Sequence, residues 1–180
     1  NVYARLTDEP FVVAVRRGLL DQISPDPLQW QELSIFKFKP EQIRGITVTT
    51  DKELSLERDQ NHQWHWVKGN GAINQTNLQS LVATLSNLYA VRWLGTATPQ
   101  QGFDKPQLVV SFTTSADNKE SHKITVGAQN NDGTFCARVD GRDGTFAMRG
   151  SELNNLKLPL ETEAAASPLP AMATSPGVTP

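Results

Sequence analysis

Between residues 74 and 90, large apolar residues recur at steps of three and four, which is the spacing of one face of an α-helix. This apolar stripe consists of Leu78, Leu81, Val82, Leu85, Leu88 and Tyr89. Asn74 is a favourable N-cap, and Ile73 and Leu78 occupy the two positions of a hydrophobic staple around it. The remaining positions are mostly small and polar. The sequence therefore predicts one long amphipathic helix, which needs a surface to cover its apolar face.

Short segments of alternating apolar and polar residues stand on both sides of this helix, and such alternation predicts half-buried strands. The predicted strands lie at 2–7, 11–16, 43–50, 54–56, 63–67, 108–112, 124–126, 135–139 and 146–148. Short helices are predicted near Leu19 and after Ser151, the second ended by Pro159. The predicted fold class is α+β, an antiparallel sheet or meander packed against the long helix.

Two parts of the chain are similar at a constant offset. Ala4-Arg5 and Ala137-Arg138 stand 133 positions apart, and the same offset continues without a gap for the next eighteen residues. It pairs Val13 with Phe146, Ala14 with Ala147, Val15 with Met148 and Leu20 with Leu153. Two unrelated hairpins would also share alternation, but here the trailing helix matches as well.

The offset predicts three parts of the chain. Residues 1–23 would be the closing piece of a preceding repeat, strand, turn, strand and short helix, and residues 24–160 one complete module. Residues 161–180 are rich in Ala, Pro, Ser and Thr. Because such a composition buries too little surface to offset the entropy of ordering, this stretch is predicted to be a disordered linker.

Bulk properties exclude several classes of protein. The net charge is −2 and the basic residues are scattered, so no nucleic-acid partner is predicted. A single cysteine excludes an internal disulfide and a cysteine-based zinc site. No apolar run approaches the roughly 20 residues of a membrane span, so this fragment is not expected to insert into a membrane. Because its first residues have the pattern of a strand interior, we expect targeting signals and membrane tethers elsewhere in a longer protein.

Candidate residues for catalysis, cofactors or metals are few. His62, His65 and His122 stand at turns or polar strand positions, and nothing in their spacing points to shared metal ligation. Cys136 alternates with apolar neighbours in a predicted strand, which favours a structural thiol over a nucleophile. The stretch 140–144 lacks the alternating oxygen ligands of a calcium loop and is predicted to be a hairpin turn. We therefore predict no enzyme, no cofactor and no metal.

Four residues form the candidate ligand or partner face. Trp64 and Trp66 share one side of a predicted strand, where they could form core against the helix or an exposed platform for a sugar or a peptide. The helix favours the core interpretation. Arg5 and Arg138 occupy equivalent positions of the repeat and could form a repeated interface, although a solvated strand face is the default.

The order of these elements resembles a known family. It runs from the Trp64 strand through the leucine-rich helix to a Gly-Phe-Asp-Lys-Pro loop at 102–106, and then to the sequences ITVG at 124–127, FCAR at 135–138 and SELNNL at 151–156. This order resembles the bacterial domain of unknown function 4340 family over nearly all of 28–158, and residues 1–23 resemble the family's C-terminal portion. Phe103 and Cys136 depart from the leucine and tyrosine that are usual there.

The resemblance carries expectations about function. Members of this family occur as repeats in envelope proteins, often encoded beside ABC-2-type transporter permeases and gliding-motility auxiliary components. It implies an extracytoplasmic, membrane-tethered module that scaffolds or contacts a transporter-like complex, with no catalytic residues to transfer. A glycan- or peptide-binding module that uses exposed aromatic residues is the alternative.

Overall fold

The computed structural model describes residues 2–5, 7–114 and 120–162. The strands are β1 Val2–Ala4, β2 Val13–Val15, β3 Ile43–Thr49, β4 Glu53–Arg58, β5 Trp64–Lys68, β6 Arg92–Gly95, β7 Leu108–Thr114, β8 Ser121–Gln129, β9 Phe135–Val139 and β10 Thr145–Met148. The helices are α1 Arg17–Leu20, α2 Gln75–Ser86 and α3 Gly150–Leu156, and short 3-10 turns lie at Pro27–Trp30, Pro40–Gln42 and Pro99–Gln101. The predicted α+β class with an antiparallel sheet is confirmed.

Strands β3 to β10 form one eight-stranded sheet in the order β5-β4-β3-β7-β8-β9-β10-β6. Two runs of consecutive antiparallel strands, β3-β4-β5 and β7-β8-β9-β10, join where β3 pairs with β7. The strand after α2, β6, pairs with β10 at the far end. Strands β5 and β6 are therefore the two edges of this sheet, and α2 packs on its inner face.

The hydrophobic core lies between that inner face and the helices. Ile46 pairs with Leu56 on one side and with Phe112 on the other, so all three side chains share one face and are buried. Helix α2 contributes the predicted stripe residues Leu78, Leu81, Val82 and Leu85 to the same cluster. The periodicity of the sequence thus identified the buried face of this helix.

Helix α2 begins as predicted but is shorter than the long helix expected over 74–90. The Asn74 side chain accepts a hydrogen bond from Asn77 N at 3.1 Å, which confirms the N-cap. The helix ends at Ser86. Beyond it, the Leu88 carbonyl accepts hydrogen bonds from Ile35 N and Phe36 N, so the chain is extended there. Leu88 is buried through this pairing rather than on a helical face, because a contact with a distant segment outweighs local propensity.

The hairpin of β1 and β2 forms a separate two-stranded sheet. Its three residue pairs are Val2 with Val15, Tyr3 with Ala14 and Ala4 with Val13. The pairs of β9 with β10 are Phe135 with Met148, Cys136 with Ala147 and Ala137 with Phe146. Each pair of the first hairpin maps onto a pair of the second at the offset of 133 residues. The two hairpins therefore have the same register.

The described pairing continues past residue 160. Glu161 forms an isolated bridge with Ile73, and Thr162 N donates to the Ala72 carbonyl at 2.9 Å. The Glu161 carboxylate also lies 2.6 Å from Lys52 Nζ. These two residues belong to the packed module, so the predicted linker cannot begin before 163. The rest of the predicted linker lies outside the described residues.

Asp132 closes the turn between β8 and β9. Its carboxylate accepts hydrogen bonds from the hydroxyl and N–H of Thr134 and from Arg92 Nη1, and these donors lower its pKa to about 2. Because this pKa is below the ordinary value of 3.8, the resulting stability is present above pH 3.8 and is lost as the pH falls towards 2. We expect the stability difference between wild type and Asp132→Asn to shrink over that window, measured by urea titration at several pH values. A difference that stays constant would contradict this account.

Candidate functional site

The structure does not bring the four candidate face residues together. Trp64 and Trp66 lie on edge strand β5, opposite Arg58 and Leu56, on the face that α2 covers. Arg138 lies on β9 opposite Thr125, which places it on the other face of the sheet. Arg5 follows β1 in the separate hairpin and is exposed. The two tryptophans and the two arginines therefore belong to different surfaces.

Trp66 is part of the fold's packing. Its indole N–H donates to the Gly71 carbonyl at 3.0 Å, and the backbone of Gly69 lies against its ring. Gly69 has a φ of +145°, and a Cβ at this position would overlap the Trp66 ring. The ring is half-buried against the core. One side of the Trp66 ring is therefore covered by Gly69, and the ring is only partly exposed.

Trp64 lines a groove between α2 and the β4–β5 hairpin, which we call the α2–β5 groove. Its volume is about 420 Å³, within the range of roughly 300–1,000 Å³ that ligand pockets have. Its floor and helix side carry apolar and amide side chains, and the guanidinium of Arg58 lies 4.9 Å from the Trp64 ring centroid. The lining residues are Pro40, Arg58, His62, Gln63, Trp64, Gln75, Leu78, Gln79, Val82 and Ala83.

A positively charged side chain lines this groove, and no negatively charged side chain does. Arg58 Nη1 donates to the Pro40 carbonyl at a long 3.4 Å, and its Nε is buried without a hydrogen-bond partner in the described part of the chain. None of the lining residues is acidic. The neighbouring Asp59 carboxylate instead accepts hydrogen bonds from the N–H groups of Gln63 and Asn61 and from His65, which lower its pKa. The guanidinium of Arg58 thus has no carboxylate to neutralise it among residues 2–5, 7–114 and 120–162.

Sequence reasoning missed Arg58. In the sequence it is one basic residue at the end of an alternating strand, and no local pattern distinguishes it from any other solvated arginine. His62, which was considered only as a metal ligand, lines the groove and accepts a hydrogen bond from Arg44 Nη1 at 3.0 Å through its Nδ1.

Arg138 is held by the loop that follows β6. Its guanidinium lies 4.9 Å from the Phe103 ring centroid, and its Nε is buried without a partner in the described residues. It borders a depression of about 510 Å³ together with Arg142, Asp140 and Asp143. Arg142 is already engaged, since it stacks on Trp93 and donates to the Ser34 carbonyl at 3.1 Å. The mixed charges of this depression define no single class of ligand.

The other candidate residues occupy separate environments. His122 packs among Phe36, Phe38 and Phe112, with ring centroids 4.9–5.6 Å away. Cys136 Sγ donates to Asn130 Oδ1 at 3.2 Å, and burial raises the pKa of its thiol. Within the described ranges, no group of three His, Cys, Asp or Glu side chains could hold a metal ion. The stretch 140–144 forms the turn between β9 and β10, as predicted.

The burial of the tryptophans leads to a fluorescence prediction. Variants that keep only Trp64 or only Trp66, with the other tryptophans replaced by Phe, should emit at shorter wavelength and be quenched less by acrylamide than an exposed indole, because both rings are partly buried against the core. A variant that keeps only Trp30 is the control, since Trp30 is 65% exposed and should be quenched readily. Equal quenching of all three variants would show that the β5 face is open.

The fold and the groove together define a small α+β module, with an eight-stranded antiparallel sheet covered by α2 and α3. The chain belongs to the family described as Domain of unknown function (DUF4340), whose model matches residues 1–101, more than half of its length. No curated protein matches the chain, and no solved structure does. The match includes the first hairpin and ends before β7. No helix in the described residues is long and apolar enough to cross a membrane.

Proposed function

We propose that this chain is a non-enzymatic interaction module from a tandem array, part of an extracytoplasmic, membrane-tethered protein that scaffolds an envelope complex. The observation that carries the tandem arrangement is the shared register of the β1–β2 and β9–β10 hairpins. The envelope location and a transporter permease as partner rest on the family resemblance.

The β9–β10 hairpin is paired with further strands and buried, whereas the β1–β2 hairpin is largely exposed. Strand β9 pairs with β8 and β10 pairs with β6, and Phe146 and Met148 are 1% and 0% exposed. In the first hairpin the residue equivalent to Phe146 is Val13, which is 47% exposed, and Tyr3 is 76% exposed. Exposed apolar residues on a two-stranded sheet whose outer edges are unpaired within the described ranges indicate a surface that another element covers. The element of matching geometry is the β8, β6 and α2 surface of a preceding copy of the module.

A graft within the full chain tests this equivalence. Residues 135–156 are replaced by residues 2–23, a segment of the same length. We expect the chimera to unfold cooperatively in urea, with stability lowered by about 2–5 kcal/mol, because Val replaces the larger Phe at two core positions. The control carries the same 22 residues in scrambled order and should not fold cooperatively. If graft and scramble behave alike, the two hairpins are not equivalent and the tandem proposal fails.

The location is tested separately in cells. In the parent protein, protease added to spheroplasts should cleave this module if it lies outside the cytoplasmic membrane. Protection of the module in intact spheroplasts, with cleavage only after lysis, would contradict the extracytoplasmic assignment. An accessible periplasmic protein and a cytoplasmic protein serve as controls in the same preparation.

A ligand-binding module is the second candidate, and one observation favours it. Trp66 is covered, but Trp64 stands in the wall of the α2–β5 groove. Binding through an open pair of tryptophans is therefore disfavoured, whereas binding within the groove is consistent with the geometry.

A further inference from the structure

We propose that the α2–β5 groove binds the carboxylate of a short extended peptide segment, with Arg58 as its anchor. This inference does not depend on the scaffold function, and it rests on the second candidate, a ligand-binding module, for which it names the ligand class. It rests on the positive charge of the groove, on the amide and apolar side chains that line it, and on the stacking of the Arg58 guanidinium on the Trp64 ring.

The positive charge of the groove favours an anionic ligand. Arg58 makes a single long hydrogen bond, to the Pro40 carbonyl at 3.4 Å, and its Nε lacks an acceptor in the described part of the chain. Because the Nε is shielded from solvent, a ligand would meet the Nη groups, whose four N–H donors make this one hydrogen bond in the described part of the chain. A guanidinium pairs well with a carboxylate because its planar donors match the two oxygen atoms. With no acidic residue in the lining, an entering carboxylate meets no repulsion from the groove itself.

The side chains that line the groove favour a ligand that carries both amide and apolar groups. Gln63, Gln75 and Gln79 bring three side-chain amides to the rim, and each can donate to a carbonyl and accept from an N–H. Leu78 and Val82 also line the groove, and because both are buried in the core they form its apolar base. Gln75 and Gln79 are one helical turn apart on α2, as are Leu78 and Val82, so polar and apolar groups run side by side along the helix. A peptide backbone with a small aliphatic side chain matches this arrangement.

The same geometry disfavours a sugar. Stacking of a sugar ring on an aromatic side chain needs an open aromatic face. One face of Trp64 is occupied by the Arg58 guanidinium, 4.9 Å from the ring centroid. The Trp66 ring is packed against Gly69. The experiment therefore includes an acidic sugar as a ligand whose binding would contradict the proposal.

The test compares N-acetylated Ala-Leu-Ala with a free carboxylate against the same peptide with a C-terminal amide. Binding is followed by ¹H–¹⁵N NMR of the full chain. We expect the free acid to shift the Trp64 indole signal and the side-chain amide signals of Gln75 and Gln79, and the amide form to bind roughly tenfold more weakly. Equal affinity of the two peptides, or shifts that map elsewhere, would overturn the proposal.

Three variants make the test specific. Arg58→Gln should reduce the affinity for the free acid by roughly tenfold, to that of the amide form, while Arg16→Gln, which removes the same charge from an exposed site outside the groove lining, should leave it unchanged. Ala83→Phe fills the groove from an exposed helix position without changing Arg58, so it should also abolish binding. If Arg58→Gln does not fold, the Ala83→Phe result decides. Wild-type affinity in Ala83→Phe would sink the proposal.

Two other anions test whether the groove is specific for a peptide carboxylate. Glucuronic acid at the same concentration should shift none of the groove signals, and inorganic phosphate should not displace the peptide. If glucuronic acid binds and the peptide does not, the site recognises acidic sugars and the peptide proposal is wrong. If phosphate displaces the peptide at equal concentration, Arg58 is a general anion site and the peptide specificity is refuted.

Discussion

Replacing Leu85 with alanine is expected to lower the free energy of unfolding by about 2–5 kcal/mol. Leu85 is 0% exposed and lies on the face of α2 that packs against the sheet, where alanine would leave a cavity. The cost combines the lost transfer of the side chain from water with that cavity. Urea titration followed by circular dichroism measures it, provided that the slope of the transition stays equal to that of wild type.

Two other variants test the assignment of the helix. Ser80→Ala should change stability by no more than about 0.5 kcal/mol, because the Ser80 hydroxyl is half-buried and bonds only to the Thr76 carbonyl of its own helix. Leu88→Ala should cost about as much as Leu85→Ala, although Leu88 lies beyond the end of α2, since it too is 0% exposed. Small and equal effects in all three variants would mean that the buried face is assigned wrongly.

These residues also show how far the sequence determines the fold. The start of α2 could be predicted because an N-cap and a periodic stripe are local properties of the chain. Its end could not, because it depends on hydrogen bonds between Leu88 and the segment around Ile35, more than fifty residues earlier. The placement of β6 beside β10 is non-local for the same reason. Strand alternation predicts which residues face the core, but it does not give the order of strands in a sheet.

The candidate site, too, is partly predictable from the sequence and partly not. The shared face of Trp64 and Trp66 follows from their spacing of two in a strand, and the structure confirms it. The groove was not predictable, because Pro40, Arg58 and Gln79 come from three separate elements that only the fold brings together. The missing acceptor of Arg58 is likewise a property of its surroundings. Its significance becomes visible only when the neighbouring carboxylate of Asp59 is seen to be engaged elsewhere.

Gly102 and Gly127 belong to the stretches on which the family resemblance was predicted, although they lie beyond the matched residues 1–101. Their packing leads to the second large effect. Gly127 lies on β8 where the loop between β6 and β7 crosses the sheet, and a Cβ there would overlap the Gln101 carbonyl oxygen. Gly102 in that loop has a φ of +71°, which glycine adopts without strain, and a Cβ on it would come within 3.1 Å of Ala128 N. Position 127 thus has no room for a side chain, and a side chain at position 102 would require Ala128 to move by a few tenths of an ångström.

Gly127→Ala is therefore expected to lower the free energy of unfolding by about 1–3 kcal/mol, because the methyl group meets rigid backbone that must move. Gly127 does not have a positive φ, so the cost comes from crowding and not from backbone strain. Gly150→Ala is the matched control, since a Cβ there meets only ordinary contacts at 3.6 Å and longer at the start of α3, where alanine suits the helix. Urea titration of the two variants gives the difference, and hydrogen exchange should show faster exchange at Gln101 and Gly102 in Gly127→Ala alone. If the two variants are equally stable and the exchange of the loop is unchanged, the loop does not press on β8 in this way.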